Sequence, residues 1–158
     1  GEIICTLDGD GQNDPADLPR FIELIQSSGT DIVAGYRAKR HDNWIRRVSS
    51  RTGNGFRSLL TGYTVRDTGC GTRTMRKSAL LTLPCFSGMH RFLPTLFVMM
   101  GYRAEEEAAN NRPRLAGKAK YGIWNRLGSG FLDCLGVWWL RKRALQYRII
   151  RSSAQTSI

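Results

Sequence analysis

The first 36 residues follow the pattern of a strand, a helix and a second strand, and this pattern constrains the fold more than any other feature of the chain. Residues 2–7 and 31–36 have the composition of strands. Between them, Asp14 can cap a helix that has Pro15 in its first turn, and Gly29 can end it. A strand, a helix and a strand within about 35 residues form a βαβ unit. We therefore predict an α/β fold with a mostly parallel sheet flanked by helices.

The chain opens directly on the first strand, without an initiating methionine. A buried parallel strand needs neighbouring strands, so we expect the first strands of the fold to lie upstream of residue 1. Farther along, the sequence predicts a helix at 44–61, a short strand at 70–75, a helix at 90–100, a strand at 102–108, a loop at 110–122 and a helix from 123.

Charge is divided unevenly along the chain, whose net charge is +11. Residues 1–35 carry seven acids and one base, whereas the remainder carries 23 bases and six acids. Such a division suggests a cation site beside an anion-binding surface. Nucleic acid is not expected as a partner, because the bases follow no RNA-binding or zinc-finger pattern and the acidic cluster would repel phosphate without a metal.

Oxygen-bearing side chains gather immediately after the first strand, at Asp8, Asp10 and Gln12. Ligands of open α/β sheets bind beyond the carboxyl ends of the strands, so this loop stands where a site is expected. Two carboxylates and an amide oxygen are hard ligands that suit Mg²⁺ or Mn²⁺, and such an ion would also hold phosphate oxygens. The alternative is a solvated acidic turn.

A cationic face is predicted on the helix at 44–61, just after Arg37 closes the second strand. Donor side chains on this face recur one turn apart, which forms a fork suited to a phosphate group. Its members are Arg46, Arg47, Ser50, Arg51 and Asn54. A solvated basic face is the alternative.

Two further segments place charged groups among glycines. Asp67 and Arg73 frame a glycine-rich stretch, which suggests a positioned carboxylate, although an aspartate that only caps a turn would look the same. In the loop at 110–122, bases that include Arg114, Lys118 and Lys120 either fold over an anionic substrate or are simply exposed.

The last 36 residues, 123–158, are predicted to form an amphipathic, basic helical tail that lies on a membrane surface. No apolar run approaches the ~20 residues that a membrane span needs. Tryptophans on an apolar side and bases facing anionic headgroups are typical of an interfacial helix. The tryptophans are Trp124, Trp138 and Trp139, and the nearby bases include Arg141, Lys142 and Arg143. A core helix, or the base of a transmembrane segment, is the alternative.

Taken together and in order, these motifs resemble the inverting glycosyltransferases of family 2, in the branch that includes dolichyl-phosphate mannose synthase and the bacterial undecaprenyl-phosphate sugar transferases. The resemblance rests on the order and spacing of the motifs and covers about 6–122. The matching segments are 6–15, 34–37, 46–54, 67–73, 90–94, 101–103 and 114–120.

The resemblance implies a GT-A fold, Rossmann-like, that lacks its first strands and carries a C-terminal amphipathic helix. Residues 1–122 would form the partial glycosyltransferase domain and 123–158 the membrane-surface tail. Mg²⁺ or Mn²⁺ on Asp8, Asp10 and Gln12 would grip the diphosphate of a nucleotide sugar, with UDP or GDP as the nucleotide.

The resemblance also implies roles for the basic residues. Arg37, Arg46, Ser50 and Arg114 correspond to positions that hold the acceptor phosphate of a polyprenyl lipid, and Asp67 would position the sugar or the metal. The expected reaction is sugar transfer to a polyprenyl phosphate, by an enzyme bound peripherally to the cytoplasmic face of a bacterial inner membrane. Without the segment that builds the nucleobase pocket, the isolated chain is expected to be inactive.

Two other functions fit the sequence. One is transfer to a hydroxyl of a glycan or a lipid-linked saccharide. This reaction would require a general base, so Asp67→Asn would abolish nearly all of the transfer activity. The other is a non-catalytic basic module that binds membranes.

Overall fold

A computed structural model of the chain describes residues 1–38, 55, 57–112 and 123–143, with the side chains of the last segment given from residue 130. Its four strands form one sheet in the order β1-β3-β2-β4. The strands are β1 (Ile3–Thr6), β2 (Ile32–Arg37), β3 (Arg73–Arg76) and β4 (Ala104–Ala109). These positions agree with the four strands predicted from the sequence.

The sheet is mixed, which corrects the expectation of a mostly parallel one. β2 and β4 pair in parallel, but β3 runs antiparallel to both of its neighbours, β1 and β2. The two strands of the predicted βαβ unit therefore do not touch, because β3 lies between them. β1 is half-buried rather than buried, since it stands at one edge of the sheet.

The helix between β1 and β2 begins and ends where the sequence indicates. The side chain of Asp14 accepts a hydrogen bond from the Ala16 N–H and caps a short 3₁₀ turn that opens with Pro15. Helix α1 (Leu18–Ser28) follows, and Gly29 ends it with a φ of 69°, a left-handed conformation that glycine adopts without strain. The later helices are α2 (Lys77–Leu80), α3 (Leu93–Met99) and α4 (Ile123–Arg143).

Apolar side chains cover the sheet on both faces. Ile32 and Val33 are consecutive in β2 and therefore point to opposite faces. Val33 packs in one cluster with Phe21 and Ile25 of α1. Ile32 packs in a second cluster with residues of α2, α3 and α4. The fold is thus an α/β structure whose sheet is flanked by helices, as predicted.

Helix α4 is part of this core. Cys134 and Val137 are buried in the second cluster, and Leu140 packs against it. The opposite side of the helix exposes Leu132, Trp139 and other large apolar side chains. In the part of the chain that the structure describes, no helix is long and apolar enough to cross a membrane. The division at residue 122 remains a prediction.

Candidate active site

A cleft of about 340 Å³ opens beyond the end of β1 and is lined mainly by polar groups. Side chains reach it from four separate parts of the chain. Its lining residues are Asp8, Arg57, Thr68, Gly69, Cys70, Gly71, Arg73, His90, Arg91 and Gly130. The cleft therefore joins one carboxylate to three arginines and a histidine, which is a set of groups suited to an anionic ligand.

The carboxylate of Asp8 lies directly against the backbone of Gly71. A Cβ placed on Gly71 would overlap all three atoms of that carboxylate group. The close contact between the Asp8 carboxylate and the Gly71 backbone is stabilised by Thr6, whose hydroxyl donates to the carbonyl oxygen of Gly71 at 3.0 Å. A side chain at position 71 would therefore force the Asp8 carboxylate to move, although the backbone angle of Gly71 is an ordinary one.

Arg73 lies at the start of β3 and is the most buried cation of the cleft, with 8% of its surface exposed. Burial lowers the pKa of Arg73 from its ordinary value, while Cys70 and the carboxylates of Asp8 and Asp67 act to raise it. A guanidinium stays charged even so. Arg73 therefore supplies a fixed, poorly solvated positive charge beside Asp8.

Asp67 is buried just before the residues that line the cleft, and Arg37 holds it with two side-chain hydrogen bonds. Arg37 Nε donates to Oδ2 at 2.6 Å, and Nη2 donates to Oδ1 at 3.0 Å. Oδ1 also accepts from the Gly69 N–H at 3.1 Å. This network ties the end of β2 to the 68–71 stretch of the cleft wall.

The loop after Asp8 carries the other two predicted metal ligands. Asp10 accepts a hydrogen bond from the Gln12 N–H at 3.1 Å, which closes a tight turn. Among the residues that the structure describes, no three His, Cys, Asp or Glu side chains cluster as a metal site. Two carboxylates and one amide oxygen would leave coordination positions for phosphate oxygens or water. This donor set fits Mg²⁺ or Mn²⁺, which bind through few carboxylates and share their ligands with substrate.

The same loop is joined to the start of the basic segment 110–122. Asn13 and Asn111 form an isolated β-bridge, and the Arg112 N–H donates to the Gln12 carbonyl at 2.8 Å. Arg112 also forms an ion pair with Asp14 at 2.8 Å. Hydrogen bonds from Ala16 and from Arg112 lower the pKa of Asp14. The base of the predicted substrate loop is therefore fixed beside the predicted metal loop.

Three of the four basic side chains of the cleft were not among the predicted site residues, namely Arg57, His90 and Arg91. Arg57 packs its guanidinium 4.9 Å from the ring centre of Phe92, and its Nε and Nη1 atoms are buried without hydrogen-bond partners among the described residues. His90 and Arg91 come from a 3₁₀ turn that precedes α3. The sequence did contain a signal, because His90 and Arg91 open one of the segments that resemble the family.

The pKa values of two cleft side chains, Cys70 and His90, are shifted from their ordinary values. Burial raises the pKa of the Cys70 thiol, so Cys70 is not a ready nucleophile. Partial burial lowers the pKa of His90, and the charges of Arg91 and Arg73 lower it further against the opposing effects of Asp8 and Asp133. Both effects favour the uncharged form of the imidazole.

Some of the predicted site residues lie close together in the structure, and others are not among the residues that the structure describes. Asp8 and Arg73 share the cleft, and Asp67 and Arg37 adjoin it. Trp138 and Trp139 lie exposed on α4, next to the exposed bases Arg141, Lys142 and Arg143. The predicted residues outside the described positions are Arg46, Arg47, Ser50, Arg51, Arg114, Lys118, Lys120 and the side chain of Trp124.

Comparison with known proteins places the chain in a family. Residues 1–83 match the model of the family described as glycosyl transferase family 2. The chain is 34% identical over 140 residues to a dodecaprenyl-phosphate galacturonate synthase of Rhizobium johnstonii, which covers 87% of this chain and 41% of that protein.

Two other relatives are undecaprenyl-phosphate 4-deoxy-4-formamido-L-arabinose transferases. The protein of Edwardsiella ictaluri is 34% identical over 78% of this chain and 38% of its own length. The protein of Aeromonas hydrophila is 32% identical over 78% of this chain and 37% of its own length. The chain thus spans about two fifths of the length of each of these three relatives.

Proposed function

The chain belongs to glycosyl transferase family 2, and on that basis we propose that it is part of an enzyme that transfers a sugar from a UDP- or GDP-sugar to a polyprenyl phosphate. The observation that carries the proposal is the convergence of Asp8 with three arginines in one cleft at the end of a strand. The names of the relatives support the class of acceptor, since each of them acts on a polyprenyl phosphate.

On the donor side, Asp8, Asp10 and Gln12 would hold Mg²⁺ or Mn²⁺. When bound, this ion neutralises charge on the diphosphate that leaves the sugar. Arg73 adds a positive charge beside Asp8 that is already desolvated and already in place. A preorganised charge of this kind stabilises a developing anion without reorganisation of the site.

On the acceptor side, the proposed reaction needs no strong general base. A phosphate monoester is already an anion at neutral pH and can attack the anomeric carbon directly, so the protein has to align the two substrates. Asp67 fits a positioning role, because both of its oxygens already accept hydrogen bonds from Arg37. The basic residues of 46–51 and of the 114–120 loop are proposed to hold the acceptor phosphate.

We place this reaction at the cytoplasmic face of a bacterial membrane, with α4 lying on the lipid surface. The side of α4 that faces away from the core exposes 67% of Leu132 and 60% of Trp139, and Lys142 stacks on Trp138 at 4.3 Å. Exposed apolar side chains beside cations match the profile of an interfacial helix.

Removal of this apolar side should weaken membrane binding. Replacing Leu132 and Trp139 together by serine is expected to lower binding to vesicles that contain phosphatidylglycerol by at least tenfold, on the order of what burial of one such side chain provides. Co-sedimentation of the full-length protein measures it. Leu81→Ser is the matched control, because Leu81 is equally exposed and lies outside α4. Equal losses in both variants would exclude α4 as the membrane contact.

The proposed reaction is tested by a screen of nucleotide sugars against undecaprenyl phosphate, with the product identified by its mass. The full-length protein should form a sugar-phosphate lipid that depends on Mg²⁺ or Mn²⁺. A full-length protein that transferred sugar only to hydroxyl acceptors would refute the polyprenyl-phosphate assignment and leave the family assignment intact.

A further inference from the structure

Asp133 stands out within α4 because it is the one acidic residue of the sequence after 107, and it lies between Leu132 and Cys134. An ionised carboxylate in an otherwise apolar stretch is costly unless a partner compensates it. Its partner is Arg91, whose Nη1 lies 3.2 Å from Asp133 Oδ2. Only 22% of the Asp133 side chain and 37% of the Arg91 side chain are exposed.

The backbone just before Arg91 leaves space for the Asp133 carboxylate. Gly88 has a φ of 90°, and a Cβ at that position would lie 2.9 Å from Asp133 Oδ2. A side chain at position 88 would therefore be strained in its backbone and would also crowd the carboxylate. The 3₁₀ turn Met89–Arg91 begins immediately after this glycine, so the carboxylate and the turn that presents Arg91 fit together as one unit.

Helix α4 holds Asp133 firmly in this place. Cys134 follows Asp133 and is buried in the core, as is Val137 one turn later. One turn earlier, Gly130 lines the same cleft as Arg91. The helix that faces the proposed membrane surface therefore also forms part of the wall of the cleft.

We propose that Asp133 is a positioning residue, which holds the Arg91 guanidinium at the cleft so that its remaining N–H groups bind a phosphate group of the substrate. The inference rests on the proposed function and deepens it. Arginine carries five N–H donors, so the bond to Asp133 leaves others for a ligand. The phosphate belongs either to the diphosphate of the donor or to the monophosphate of the acceptor, and separate measurements of the two substrates distinguish these sources.

The test compares Asp133→Asn and Asp133→Ala with the wild type in the full-length protein. We expect KM to rise about tenfold or more for one of the two substrates, as is typical when the partner that orients a ligand-binding group is removed, with a smaller change in kcat. Asp133→Glu should recover part of the loss. Glu23→Gln, an exposed acid on α1, is the control and should leave both KM values unchanged. Unchanged KM values in both Asp133 variants would overturn the proposal.

Charge reversal separates positioning from a purely structural ion pair. The double variant Arg91→Asp with Asp133→Arg restores the pair and should recover thermal stability, but KM should stay raised because the turn no longer presents a cation. Recovery of KM together with stability would overturn the proposal. Calorimetric titration with inorganic diphosphate tests donor-side binding without sugar transfer. A wild-type protein that binds diphosphate but transfers no sugar would contradict the proposed function and not the role of Asp133.

Discussion

Gly71→Ala should lower kcat/KM for sugar transfer by at least about 100-fold, close to the effect of Asp8→Asn. The reason is steric, because the new methyl group would occupy the space of the Asp8 carboxylate. Displacement of a reacting or ligand-holding group by about 1 Å can cost on the order of 100-fold. Steady-state kinetics with the nucleotide sugar measures the change.

A matched control separates this effect from a general intolerance of alanine. Gly136 lies on α4 without a positive φ, and no atom of the described residues outside its own helix backbone lies within 4 Å of an added Cβ. Gly136→Ala should therefore keep full activity and add slight stability, since alanine is the better helix former. If Gly71→Ala retained normal kinetics, the Asp8 carboxylate would not act from its position against residue 71.

Asp67→Ala should produce the largest loss of stability, about 3 kcal/mol in the free energy of unfolding. The substitution would remove a buried carboxylate that accepts hydrogen bonds from the Arg37 side chain and the Gly69 N–H, and breaking a buried pair costs about 3–5 kcal/mol. Chemical denaturation measures the loss. Arg66→Ala, which removes a mostly exposed arginine paired with Glu106 at 3.9 Å, should cost less than about 1 kcal/mol.

Asp67→Asn then separates the two acceptor classes. Asparagine keeps the shape of the side chain and removes the charge, so an enzyme that uses a phosphate acceptor should retain measurable transfer. An enzyme that requires Asp67 as a general base for a hydroxyl acceptor should lose nearly all of it. Retention of transfer to undecaprenyl phosphate at a reduced rate is the expected outcome.

Short sequence patterns predicted the positions of the helices and strands well. They did not predict which strands pair with each other in the sheet. Asp14, Pro15 and Gly29 mark the ends of the first helical region through short-range hydrogen bonds and backbone angles, and each acts as the sequence indicated. The insertion of β3 between β1 and β2 depends on contacts between distant segments, which a single sequence does not display.

Some residues of the candidate site could likewise be predicted from local sequence patterns, and others could not. Asp8 was predictable because a short acidic loop at the end of a strand is a local pattern. Arg57 and Arg91 were not assigned, since their place in the cleft arises from tertiary packing against Phe92 and Asp133. The apolar side chains of α4 suggested either a membrane helix or a core helix, and packing of Cys134 and Val137 shows that the helix also has a core face.

The order of strands in the sheet has a consequence for how the chain folds. β1 and β2 are separated by one helix in sequence, yet among the described residues the antiparallel partner of each is β3, where Ile3 meets Arg76 and Ile32 meets Met75. The first 37 residues therefore have no hydrogen-bonded sheet of their own. During synthesis, the pairing of β1 and β2 with β3 cannot form until the ribosome has released β3. Pairings that close such long loops slow folding, and until they form both strand edges stay open to aggregation.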